Sequence, residues 1–153
     1  MKKIILIVLL FLFSITNVKG ITASSAVAMD LNSGRVLYDN NMNNKRLIAS
    51  ITKIMTCIIV LENSDIKKEI TVGDEVLKAY GSAIYIEMGE KITIENLLYG
   101  LMLRSGNDAA IVLAKNVSGN MDNFVQLMNE LAGKIGMKNT TFMDLIRQNP
   151  HAI

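Results

Sequence analysis

Two residues one helical turn apart form the first pair with the chemistry of a catalytic site. Ser50 and Lys53 stand in the segment S-I-T-K, and this spacing puts both side chains on one face of a helix. A serine hydroxyl is a weak nucleophile that needs a base nearby, and a lysine amine serves when burial lowers its pKa. The segment therefore predicts a serine nucleophile at a helix start, where backbone N–H groups face a developing oxyanion.

A second polar group, at residues 105–107 (S-G-N), interrupts two apolar helical stretches. A polar loop between such helices is costly unless its groups are used. Both short patterns recur, however, at 64–67 (S-D-I-K) and at 118–120 (S-G-N). We interpret the first copy as a solvated connector and the second as a helix end at Gly119. Spacing alone is weak evidence for catalysis, and structural need alone would explain either motif.

Four helices are predicted around these motifs. The first starts at Ser50 and is apolar on most of its circumference, which predicts deep burial. A second runs over 94–103 with Thr93 as its cap, and a third runs over 108–117. The fourth covers 121–135 and ends at Gly136.

Short β-prone runs complete the predicted architecture. Residues 26–29 and 35–38 flank a D-L-N-S-G turn and predict a hairpin. Residues 70–72 predict a strand that ends at Gly73. Residues 83–86 and 91–93 are predicted to pair with each other across the M-G-E segment.

The N-terminus has the pattern of a secretory signal. Lys2 and Lys3 precede ten apolar residues, and Gly20 offers a small residue for cleavage; an uncleaved membrane anchor stays the alternative. Both interpretations put the rest of the chain outside the cytoplasm.

The net charge of +2 becomes −1 without Lys2, Lys3 and Lys19, which leaves 13 basic and 14 acidic residues, so nucleic acid is not predicted as a partner. The single cysteine, Cys57, predicts a buried thiol without an internal disulfide.

Longer segments in the same order resemble one family. They are the runs A-V-A-M-D-L-N-S-G-R-V-L-Y at 26–38, I-A-S-I-T-K-I-M-T at 48–56, L-R-S-G-N-D-A at 103–109 and G-M-K-N-T-T-F at 136–142. Together they resemble the serine D-alanyl-D-alanine carboxypeptidases among the low-molecular-mass penicillin-binding proteins, over residues 24 to 144. The S-x-x-K motif is a known signature of penicillin-binding proteins.

The resemblance implies roles for four residues. Ser50 would be the acylated nucleophile, Lys53 its general base, Ser105 a proton relay and Asn107 a ligand of the substrate's amide. The substrate would be a peptidoglycan stem peptide that ends in D-Ala-D-Ala, and β-lactams would be inhibitors. No cofactor is implied, and no cluster of residues suggests a metal site. Arg104, Gly106 and Asp108 would hold the loop rather than take part in the chemistry.

Two departures from the family pattern bear on function. The family's third motif, K-T-G, does not occur in these residues, and after residue 144 the sequence departs from the pattern as well. We therefore expect a truncated or frameshifted gene with an aberrant tail, 145–153, in which a triad role for His151 is not supported. Class A β-lactamases share the first motif, but their usual S-D-N and E-x-x-L-N stretches are missing here.

The expected protein is an α+β fold of the penicillin-binding/β-lactamase type, reduced to the N-terminal hairpin and the helical subdomain. Its expected domains are a signal peptide at 1–20, a partial catalytic domain at 21–144 and the tail. The expected function is an exported serine carboxypeptidase whose activity truncation impairs, attached to a membrane, if at all, through the N-terminal segment. The alternative is a non-catalytic exported fragment or a cell-wall peptide binder.

Overall fold

The computed structural model describes residues 21–146, and they form two compact units, 21–44 and 45–146. The predicted signal segment at 1–20 and residues 147–153, with His151, lie outside the described residues. Within residues 21–146, no helix is long and apolar enough to cross a membrane.

The first unit is the predicted hairpin. Strands β1 (Ala26–Met29) and β2 (Val36–Asn40) pair antiparallel, with an irregularity between Ala28 and Met29. The Asp30 carboxylate accepts a hydrogen bond from the backbone N–H of Ser33 at 2.7 Å. Gly34 takes a positive φ of 69°, which glycine adopts without steric cost.

Helix α1 (Thr52–Asn63) follows a short 3-10 turn at Ala49–Ile51. Met55 and Ile59 are buried, but Ile54 is 49% exposed and Leu61 is 52% exposed. The prediction that this helix is buried on most of its circumference was therefore wrong. Its apolar residues lie on two faces, and the described residues cover only one of them.

The second unit contains a sheet with a different pairing from the predicted one. Strand β3 (Glu69–Thr71) pairs antiparallel with β4 (Lys91–Thr93). Residues 83–86 form no strand, so the predicted pairing of 83–86 with 91–93 was wrong. The physical reason is that the backbone N–H groups of Ile84 and Ile86 donate to the Asp108 carboxylate instead.

Three further helices confirm the predicted pattern. They are α2 (Ile94–Arg104), α3 (Asn107–Ser118) and α4 (Met121–Lys134). The Thr93 hydroxyl caps α2 by accepting from the N–H of Asn96 at 3.2 Å, and Gly119 ends α3 at a φ of 80°. Cys57 is half-buried on α1, and burial raises the pKa of its thiol. A raised pKa is typical of an unreactive thiol.

The core of the second unit lies where α1, α2, α3 and α4 meet. Its fully buried side chains include Ile59, Leu97, Leu101, Leu113 and Phe124. A segment after α4 packs on this core because both ends of the Asn129 side-chain amide bond to the backbone of Phe142, at 2.7 and 2.8 Å. Leu145, in the predicted tail, is also buried in this core.

Candidate active site

Ser50 lies in the 3-10 turn that leads directly into α1, and its side chain is exposed. The N–H of Ile51 closes the turn on the carbonyl of Ile48 at 3.1 Å. Ala49, immediately before the serine, has a φ of 50°, in the left-handed region that side chains other than glycine rarely adopt. The backbone therefore presents Ser50 on a constrained turn just before α1, which begins at Thr52 and not at Ser50 as the sequence predicted.

Lys53 is one turn further along and is 4% exposed. Its Nζ donates to the carbonyl oxygen of Ser105 at 2.8 Å, to Ser105 Oγ at 3.0 Å and to Asn107 Oδ1 at 2.6 Å. Desolvation by burial lowers the pKa of the amine, and the charge of Asp108 opposes that shift. A buried lysine with a lowered pKa is chemically suited to act as a base.

Ser105 lies between α2 and α3, with a left-handed φ of 56°. Its Oγ lies 2.9 Å from Ser50 Oγ and 3.0 Å from Lys53 Nζ. The hydrogen-bond path from the candidate nucleophile to the candidate base therefore passes through the Ser105 hydroxyl. A hydroxyl both donates and accepts, so this position allows a proton to pass in either direction.

Asn107 is the first residue of α3 and is almost fully buried. Its Oδ1 accepts from Lys53, and its Nδ2 donates to the carbonyl of Tyr80 at 2.5 Å. Its backbone N–H donates to the carbonyl of Ser82 at 2.7 Å. Both ends of the side-chain amide are thus bound within the protein, and the predicted contact of Asn107 with the substrate stays a prediction.

Asp108 holds the wall beside this cluster, which is the segment 80–86. The burial of its side chain was not predicted from the sequence. Its side chain is buried and accepts N–H groups from Ile84, Ile86 and Ala109 at 2.9 to 3.2 Å. Together with Asn107, it fixes residues 80–86 against the start of α3. The acidic residue in the first turn of a helix was the available signal, but it does not reveal which distant amides are bound.

Backbone strain is concentrated around these residues. In the part of the chain that the structure describes, four residues other than glycine have positive φ, namely Asn41, Ala49, Tyr85 and Ser105. Ala49 and Ser105 belong to the cluster, and Tyr85 lies in the wall that Asp108 holds. Such conformations cost roughly 1–3 kcal/mol each and occur preferentially at functional sites.

Glycines permit two close approaches at the cluster. A Cβ at Gly106 would lie 2.9 Å from Asp108 Oδ1, and Gly81 combines a φ of 80° with an approach of 3.1 Å to Asn107 Nδ2. A larger residue at Gly106 would displace the Asp108 carboxylate, and one at Gly81 would displace the Asn107 amide.

The duplicate motifs take no part in this arrangement. Lys67 is exposed and forms an ion pair with Glu95 at 2.6 Å. Ser118 Oγ donates to the carbonyl of Ala114 at 2.9 Å, at the end of α3. Their interpretation as connector and helix end is confirmed. Within residues 21–146, no three of the His, Cys, Asp and Glu residues are placed to hold a metal ion.

Comparisons with known proteins point to one family. A family model described as D-alanyl-D-alanine carboxypeptidase matches residues 13–151. D-alanyl-D-alanine carboxypeptidase DacF of Bacillus subtilis (strain 168) is 40% identical over 126 residues, which cover 78% of this chain and 32% of that relative. The match to the family reaches into the predicted tail, so the domain boundary at residue 144 stays a prediction.

Solved structures show the same fold. The D-alanyl-D-alanine carboxypeptidase DacD from Francisella tularensis superposes with a TM-score of 0.78 at 36% identity, covering 82% of this chain and 32% of that one. Penicillin binding protein 5 from Haemophilus influenzae gives a TM-score of 0.76 at 32% identity, over 82% of this chain and 39% of that one. The predicted α+β fold of the penicillin-binding type is confirmed.

The chain spans about a third of the length of the curated relatives that it matches. The matched portion contains the cluster of Ser50, Lys53, Ser105 and Asn107. The family model covers most of the sequence, and relatives and solved structures agree with it. This chain therefore belongs to the D-alanyl-D-alanine carboxypeptidase family.

Proposed function

We propose that this chain carries the acylation centre of a serine-type D-alanyl-D-alanine carboxypeptidase, with Ser50 as the nucleophile. The observation that carries the proposal is the continuous path from Ser50 Oγ through Ser105 Oγ to Lys53 Nζ, at 2.9 and 3.0 Å. The lowered pKa of Lys53 supports a neutral amine at the end of that path. The substrate would be a peptidoglycan stem peptide that ends in D-Ala-D-Ala.

The reaction is an acyl transfer in two steps. Ser50 Oγ attacks the carbonyl carbon of the penultimate D-Ala while its proton passes to Ser105 Oγ, and the Ser105 proton passes to Lys53 Nζ. The peptide C–N bond then breaks, and the protonated lysine returns a proton through Ser105 to the departing amine. A water molecule hydrolyses the serine ester in the second step, with the same groups acting as base and acid.

Asn107 has two roles in this proposal. Its Oδ1 accepts from Lys53 Nζ at 2.6 Å, which fixes the amine beside Ser105. Substrate binding would replace the bond from its Nδ2 to the Tyr80 carbonyl with one to the substrate's amide. The first role is a positioning role, and the second keeps the contact that the family resemblance implies.

β-Lactams are the expected inhibitors, since a solved relative is described as a penicillin binding protein. An ester that these compounds form with Ser50 would be the same kind of acyl-enzyme as the substrate gives. We further propose that the chain acts outside the cytoplasm, with residues 1–20 as the export signal and as its means of membrane association. The K-T-G motif does not occur in the 153 residues of the sequence, so we expect catalytic turnover by this chain to be impaired.

The test is the intact mass of the purified chain after incubation with benzylpenicillin. A gain of one benzylpenicillin is expected in the unchanged protein and in Ser64→Ala, the matched control from the duplicate motif. No gain is expected in Ser50→Ala. If the unchanged protein gains no mass, acylation by this chain is contradicted, and the alternative of a non-catalytic fragment or cell-wall peptide binder is favoured.

A further inference from the structure

A cleft of about 340 Å³ is lined by residues that adjoin Ser105 and Asn107, and the mechanism above does not use it. Six residues line it, namely Gly81, Ser82, Ala83, Tyr85, Leu103 and Arg104. One wall adjoins the site because the Ser82 carbonyl accepts from the Asn107 N–H. The other wall adjoins it because Arg104 directly precedes Ser105.

Arg104 supplies this cleft with a positive charge. It is the last residue of α2 and is exposed, and within residues 21–146 it forms no ion pair. A basic residue at a helix C-terminus is stabilising, which by itself would account for the charge. That role needs only the charge, however, and a planar guanidinium in a cleft also binds a carboxylate through two parallel hydrogen bonds.

Tyr85 supplies the cleft with an aromatic ring. Its side chain is 86% exposed and its φ is 63°, a conformation that is strained for a tyrosine. The strain is imposed because the N–H groups on both sides of it, those of Ile84 and Ile86, are bound by the buried Asp108 carboxylate. The fold thus maintains a costly backbone conformation whose visible result is an exposed ring at the cleft.

We propose that this cleft is a subsite for the acyl side of an anionic peptide substrate, in which Arg104 binds a carboxylate and Tyr85 contacts the neighbouring apolar atoms. The inference rests on the proposed function and adds a preference for a negatively charged side chain. Neighbouring Cα atoms are about 3.8 Å apart. Because Arg104 adjoins Ser105, the carboxylate would belong to a residue within about two positions of the attacked carbonyl.

The test uses two peptides that differ in one charge, N-acetyl-L-Glu-D-Ala-D-Ala and N-acetyl-L-Gln-D-Ala-D-Ala. Their dissociation constants are measured by NMR titration of the Ser50→Ala chain, which prevents turnover. The Glu peptide is expected to bind about 1.5- to 5-fold more tightly, the range for a solvent-exposed ion pair. The preference is expected to shrink in 1 M salt, where the Debye length is about 3 Å.

Three further variants in the Ser50→Ala background locate the charge. Arg104→Gln is expected to abolish the preference for the Glu peptide. Arg104→Lys keeps the charge at the end of α2 and is expected to retain part of the preference. Lys138→Gln, at another exposed cation, is the control and is expected to retain all of it. Equal affinities for the two peptides, no binding of either, or an unchanged preference in Arg104→Gln would overturn the inference.

Tyr85→Asn provides an independent test of the ring, since asparagine tolerates a left-handed backbone. The variant is expected to melt at the same or a higher temperature and to bind both peptides more weakly. Unchanged binding would overturn the role of Tyr85. A penicillin adduct without a peptide preference refutes the subsite alone, whereas a preference without an adduct refutes only the proposed acylation.

Discussion

At the scale of single residues, Lys53 combines two opposing effects. Burial disfavours its charged form, which lowers the pKa of the amine. Three oxygen atoms surround Nζ, however, and an ammonium group has three N–H donors to satisfy them. Loss of one proton leaves a lone pair that can accept from the Ser105 hydroxyl. The site thus satisfies the protonated amine, and the neutral amine could still serve as the proposed base.

The rate of acylation by benzylpenicillin is expected to rise with pH as Lys53 loses its proton. Because burial lowers the pKa of Lys53, the midpoint of the rise should lie below its ordinary value of 10.5. The measurement is the rate of mass gain at a series of pH values. Lys53→Met should acylate at least about 100-fold more slowly, which is the lower end of the range for general-base catalysis. A midpoint at or above pH 10.5 in the unchanged protein would contradict the assignment of Lys53 as the base.

The same titration affects stability, with a sign that follows from linkage. Between the lowered pKa of Lys53 and 10.5, the unfolded chain binds more protons than the folded chain. The free energy of unfolding of the unchanged protein should therefore rise with pH in that window, relative to that of Lys53→Met. Below the window, the buried charge on Lys53 lowers the stability by its full amount. Urea denaturation of both proteins across the window measures this difference; a difference that falls with rising pH contradicts it.

At the scale of secondary structure elements, Asp108 joins the start of α3 to the extended segment 83–86. The sequence predicted that this segment pairs with 91–93 across the M-G-E turn, and β4 pairs with β3 instead. A carboxylate that accepts several N–H groups replaces the missing ladder. The wall of the site is therefore held by one side chain and not by a sheet.

Two aspartates at matched positions separate this role from a general helix effect. Asp108 and Asp122 are each the second residue of their helix, α3 and α4, but Asp122 is exposed. Asp108→Asn should lower the free energy of unfolding by about 1–3 kcal/mol, because buried N–H groups lose acceptors. Asp122→Asn should cost only about 0.3–1 kcal/mol, from the helix dipole. Urea denaturation compares them, and equal costs would refute the special role of Asp108.

At the scale of the whole molecule, the core of the second unit lies on one side of α1. On the other side, Ile54 is 49% exposed and Leu61 is 52% exposed. DacF of Bacillus subtilis is about three times as long as the segment that it matches, so the matched residues are about a third of that relative. The exposed apolar face of α1 accords with a domain of which this chain forms one part.

Two isoleucines on opposite faces of α1 allow a test of which face belongs to the core. Ile59 is 2% exposed and Ile54 is 49% exposed. Ile59→Ala should destabilise the protein by about 2–5 kcal/mol, because it removes buried methyl groups and leaves a cavity. Ile54→Ala should cost about 1 kcal/mol or less, since much of its surface is already in water. Chemical denaturation of both variants measures the difference; similar costs would contradict the one-sided core.

Much of the local structure was predictable because it depends on neighbouring residues. The hairpin at Asp30 and Gly34, the cap at Thr93 and the helix ends at Gly119 and Gly136 follow from short-range turn and capping chemistry. The spacing that predicts Ser50 and Lys53 on one face follows from the helical period. The sequence by itself also determined the family, since several long segments occur in the family's order.

Only the tertiary structure decided how distant segments meet. Ser50 and Ser105 are 55 positions apart, and Asp108 reaches amides 22 and 24 positions before it. Neither the burial of Lys53 nor the strain at Tyr85 follows from local spacing, because both result from packing between segments. The sequence identified the candidate reactive residues, whereas contacts between distant segments determined the burial of Lys53 and the hydrogen bonds of Ser105 with Ser50 and Lys53.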